Sequence, residues 1–167
     1  MRSVLSIAFL TLLAACGETA SGDVASVDER GDGASVVCPQ SGEGVTIVSP
    51  WVRATANANG MTAAYFDVCN NGNEPIKIVA AETPAAGVVE LHETTRSAEG
   101  VVSMSPISSI EVASGAGERL APGGKHLMLM RLAGAIDAGD SVALSLKLSN
   151  GATIEVTAPA KAMDGGH

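Results

Sequence analysis

The residues able to do chemistry in this chain of 167 are few: three histidines, His92, His126 and His167, and six methionines. Pro122-Gly-Gly-Lys-His-Leu-Met-Leu-Met130 reads as a turn followed by a strand. Side chains at i, i+2 and i+4 of a strand point to one side. His126, Met128 and Met130 therefore share a face, and Leu127 and Leu129 share the other. An imidazole with one or two thioethers on a single face is half of a soft-metal site. The other half is sought in Val88 to Thr94, which carries His92, and Val101 to Met104, which a short turn joins to it. A hairpin of these two segments would bring His92 and Met104 together. Thioether sulfur is soft and uncharged and imidazole is borderline, so a His2Met2 set prefers Cu(I) to Zn(II), Mg(II) or Ca(II). Met130 and Met61 read as packing residues. In the tail, Met163, Asp164 and His167 offer only a thin Cu(II) signal.

Positioning these residues falls to strands. Val45 to Ser49 alternates in the β manner, and Pro50-Trp51-Val52-Arg53 bends into another extended piece. Further strands are expected at Met61 to Cys69, Ile76 to Ala81, Val88 to Thr94, Val101 to Met104, Glu118 to Leu120 and Lys125 to Leu132. The last two span Ser141 to Leu148 and Thr153 to Ala158. Turn signals separate them: Asn70-Asn-Gly-Asn73, Thr83-Pro84, Glu99-Gly100, Pro106 and the hairpin dipeptide Asn150-Gly151. Ser141 to Leu148 places Val142, Leu144, Leu146 and Leu148 on one face. No segment carries a helical period of useful length, so the expected class is all-β, an antiparallel β-sandwich.

Hydrophobic residues make up 46% of the chain but aromatics only 2%, so its single core must be aliphatic. A net charge of −8 argues against nucleic acid, which selects basic surfaces, and against electrostatic docking on anionic lipid. The first 15 residues read as a secretion signal: Arg2, then a mostly apolar run from Val4 to Leu13 that is too short to span a bilayer. Leu13-Ala-Ala-Cys16 resembles the lipobox of bacterial lipoproteins. That resemblance implies cleavage before Cys16, acylation of its sulfur and a periplasmic location, with the membrane reached through the lipid anchor alone. Residues 16–40 are expected to form a flexible tether, because Gly17 to Ser35 shows no hydrophobic period. Residues 41–159 form the β-sandwich domain and 160–167 a disordered tail. Two cysteines remain, Cys38 and Cys69. An exported chain favours joining them in a disulfide, with free buried thiols as the alternative.

His92 and Met104 are twelve apart, Met104 and His126 twenty-two, and His126 and Met128 two. With that spacing, H-(M)-x10-M-x21-H-x-M, the chain resembles the periplasmic copper chaperones called PCuAC over about Val45 to Pro159. Glu93 stands where many members carry an additional Met. Pro50-Trp51-Val52-Arg53, Ala63-Ala64-Tyr65-Phe66, Leu120-Ala-Pro-Gly-Gly124 and Gly139-Asp140 add to the likeness. The resemblance implies a cupredoxin-like sandwich whose His92, Met104, His126 and Met128 bind Cu(I). It also implies delivery toward the dinuclear copper site of cytochrome c oxidase subunit II, alongside Sco-type proteins. Four neutral donors leave the ion its charge and keep it exchangeable, which suits transfer by ligand exchange. No Ser/His/Asp grouping and no phosphate-cradling loop points to an enzyme. Three other readings compete. A blue-copper electron carrier needs a Cys thiolate, and none lies between His92 and Met128. Periplasmic copper buffering could use the same four residues, and a metal-free interaction sandwich would use none of them.

Overall fold

The computed structural model describes residues 36–39 and 44–163. The expected signal segment, Cys16, most of the expected tether, Asp164 and His167 lie outside the described residues. Ten strands and no helix are found among those described: β1 (Val45–Arg53), β2 (Met61–Asn70), β3 (Ile76–Glu82), β4 (Ala86–Arg96), β5 (Val102–Pro106), β6 (Ile110–Val112), β7 (Gly117–Leu120), β8 (Lys125–Leu132), β9 (Ser141–Leu148) and β10 (Thr153–Lys161).

The ladder runs β5-β4-β8-β7-β2-β1-β10-β9-β3-β6, with β8 also pairing β2 directly. Its two halves meet where Val52 and Arg53 of β1 pair in parallel with Ala160 and Lys161 of β10. The inward faces of both halves share one core, to which β2 gives Phe66 and Val68, β8 gives Leu127 and Leu129, and β9 gives Leu144 and Leu146. The chain is thus an all-β sandwich. Alternation along β9 sorts its side chains as the sequence pattern requires. Val142, Leu144, Leu146 and Leu148 are buried, Ser141 and Ala143 are exposed, and Ser145 and Lys147 are half-buried. Each such leucine contributes roughly 1.5–3 kcal/mol on leaving water.

Several boundaries differ from expectation. β1 does not bend away at Pro50. It continues through a bulge between Val48 and Trp51, where Ser49 takes a φ of 50° and the proline's missing N–H costs no ladder bond. β6 escaped the sequence pattern because three residues between Ser109 and Ala113 are too short to show a period. Ile110 and Val112 are held by pairing with Ile78 and Ile76 and are buried. The sheet is not wholly antiparallel, since β1–β10 and a single β7–β8 pair run parallel. Residues 160 and 161, expected to open a disordered tail, extend β10 instead, and Ala160 is buried.

The end of the expected tether is also fixed. Cys38 and Cys69 are joined by a disulfide with their Cα atoms 5.5 Å apart. The segment lies against β7 at Gly117, where a Cβ would stand 2.6 Å from a Val36 methyl and 2.7 Å from the Cys38 sulfur. Only glycine leaves room for that approach.

Candidate metal site

On β8, Leu127 and Leu129 point into the core and are fully buried, so His126, Met128 and Met130 take the outer side. Residues directly opposite on neighbouring strands share a face. From β4, His92 stands opposite His126, Glu90 opposite Met128 and Val88 opposite Met130. From β2, Ala63 stands opposite Met128 and Met61 opposite Met130. The β4–β5 hairpin forms, but its register sets Met104 opposite Thr94, while Pro106 faces His92. Met104 is thus one outward position further along than a direct His92 partner would be.

A cavity of about 420 Å³ opens on this face, and Met104, His126 and Met128 all line it. His92 is not in its lining and adjoins through His126, with 5.8 Å between ring centroids. Met104 sits on the edge strand β5 and is 56% exposed, whereas His126 is 4% exposed.

Hydrogen bonds fix the two rings. Nδ1 of His126 lies 3.0 Å from the Gly124 carbonyl oxygen, which can only accept. That nitrogen therefore carries the hydrogen, and in the neutral ring Nε2 keeps its lone pair. Nε2 of His92 lies 2.9 Å from a Glu90 carboxylate oxygen, so it donates there. In the neutral imidazole Nδ1 of His92 is then the lone-pair nitrogen, and it is buried without a hydrogen-bond partner. A buried acceptor left unpaired is costly, and a metal ion is one way to satisfy it. Among the described residues no three His, Cys, Asp or Glu side chains gather around one point. The other soft side chains on this face include the thioethers of Met104 and Met128.

Around the pair, Tyr65 stacks near His126 at 6.2 Å and against Trp51 at 4.5 Å between centroids. Burial pushes the Tyr65 phenol above its ordinary value, and the Arg53 guanidinium, donating to its oxygen at 3.3 Å, offsets part of that rise.

Sequence reasoning missed Glu90 and misplaced Met61. Glu90 is two residues before His92 on one strand, so alternation alone could have paired them. Met61 reads as a packing residue in the sequence, yet it is 60% exposed and lines the cavity. Met130 is half-buried and outside the lining.

A family model described as "Putative lipoprotein LpqE-like" matches residues 45–160. The chain belongs to the LpqE-like family. This LpqE-like chain is 36% identical over 123 residues to "Putative lipoprotein Lxx21020" of Leifsonia xyli, covering 74% of this chain and 73% of the relative. Among solved structures it is similar to the Cu(I) form of DR1885 from Deinococcus radiodurans, with 32% identity, a TM-score of 0.53, and 72% and 82% of the two chains covered. The copper-bound PCuAC domain from PmoF2 matches at a TM-score of 0.59 and 19% identity over 71% and 92% of the chains, a likeness of fold. The LpqE-like sandwich is thus cupredoxin-like, as in those domains.

Proposed function

We propose that this protein is a copper chaperone that holds Cu(I) outside the cytoplasm and surrenders it by ligand exchange. His92, Met104, His126 and Met128 are the donors, His92 through Nδ1 and His126 through Nε2. The observation that carries the reading is the facing histidine pair. Each ring has one nitrogen occupied by a fixed acceptor and the other free, on the face that also bears both methionines. The Cu(I) form of a relative 32% identical to this chain supports the choice of ion. The net charge of −8 favours capture of a cation.

Release follows from exposure. Met104, on the edge strand, is the donor an incoming thiolate reaches first, and each neutral thioether displaced leaves a softer, anionic ligand in its place. The protein carries its cargo rather than transforming it. Its acceptor is the dinuclear copper site of cytochrome c oxidase subunit II, reached directly or with a Sco-type protein. A lipid on Cys16 holds it to the membrane.

Competition with a chromogenic Cu(I) chelator tests the site: wild type takes up one Cu(I) and His126→Ala binds much more weakly. Equal affinity in both would refute the assignment. Deleting the gene tests delivery, with loss of oxidase activity at low copper as the expected result. Copper sensitivity with normal oxidase would make the protein a buffer instead.

A further inference from the structure

The domain between residues 45 and 160 contains four methionines, Met61, Met104, Met128 and Met130. None belongs to the buried core, which is built from leucine, isoleucine, valine, alanine and phenylalanine. Methionine is ordinarily a core residue. Here all four lie on the outer side of one half of the sheet, and Met61 is 60% exposed.

Resting on the copper reading above, we propose that Met61, Met128 and Met130 form a second Cu(I) station made of thioethers alone, sharing Met128 with the first. Met61 and Met130 are directly opposite one another, which sets their Cβ atoms roughly 5 Å apart. Met128 is two residues from Met130 on the same strand, roughly 7 Å along. Its own partner on β2 is Ala63, whose small side chain leaves the space between Met61 and Met128 open, and both methionines line the one cavity. Three unbranched thioethers can converge on one soft ion from such positions. Because Met128 is common to both stations, a single ion passes between them without release to water. The second station widens the face from which an acceptor can draw it.

Cu(I) competition titrations on wild type, His126→Ala, and His126→Ala combined with Met61→Leu and Met130→Leu test this. Retained uptake of one Cu(I) by His126→Ala, lost in the combined variant, supports the station. No uptake by His126→Ala, or undiminished uptake by the combined variant, overturns it and leaves the chaperone reading standing. Wild type that takes up no Cu(I) overturns the chaperone reading itself. Since His126 is buried, methionine-methyl NMR of wild type provides a check that needs no substitution. Cu(I) should shift the Met61 and Met130 methyl signals as well as those of Met104 and Met128, and unmoved Met61 and Met130 signals overturn the station.

Discussion

Replacing Glu90 with alanine should weaken Cu(I) binding without weakening the fold. Its carboxylate accepts from His92 Nε2 at 2.9 Å, with the histidine side chain 13% exposed and the glutamate 45% exposed. The bond sets the ring's tautomer and presents Nδ1. Partners of this kind typically contribute about 10–100-fold to metal affinity. Glu90 is nearly half in water, which places it at the low end: about tenfold, or roughly 1.4 kcal/mol. Glu90→Gln keeps an acceptor oxygen and loses the charge, so about threefold is expected, roughly 0.7 kcal/mol. Stability of the metal-free protein should stay within about 0.5 kcal/mol, as for other surface substitutions. Chelator competition reads the affinity and urea denaturation the stability. In a His92→Ala background the Glu90→Ala effect should vanish, because the carboxylate acts through that ring. A Glu90→Ala affinity within about twofold of wild type, or an undiminished effect without His92, would refute the reasoning.

Tyr65 is the chain's one tyrosine, so tyrosinate absorbance titrates it alone, and burial should move its midpoint above the ordinary value near 10. The folded state then holds the phenolic proton more tightly than the unfolded state. Stability is full below about pH 10 and falls as pH rises through the folded value, and Tyr65→Phe should remove that alkaline loss in denaturation midpoints. Cys38→Ser opens a bond spanning 31 residues, and a loss of about 3–4 kcal/mol is expected from urea denaturation. Asn70 is buried, donates to the carbonyls of Glu74, Val112 and Ala113, and accepts from Gly72 N–H. Asn70→Ala should cost about 2–4 kcal/mol in the same assay, since it strands several buried groups.

Much of the sandwich was legible because burial on one side of a strand writes itself into alternation. β9 is the clearest case, and β8 divides Leu127 and Leu129 from His126 and Met128 by the same rule. β6 was not legible, since three residues carry no period and their place depends on β3. Register was the larger gap. That His92 faces His126, and Met104 faces Thr94 rather than His92, is decided by pairing between strands, on which local pattern is silent. Met61 is hidden from the sequence for the same reason: its place opposite Met130 follows from how β2 pairs with β8.

The disulfide also determines where force enters the domain. The described segment Val36 to Pro39 is tied to the sandwich through Cys38, which is bonded to Cys69 near the end of β2. The cavity that Met104, His126 and Met128 line also uses the beginning of the same strand, from Met61 to Tyr65. At about 3.4 Å per residue these points are separated by between roughly 14 and 27 Å. A pull arriving at Val36 is therefore taken up by a covalent link at one end of β2, away from the cavity-lining residues at its other end.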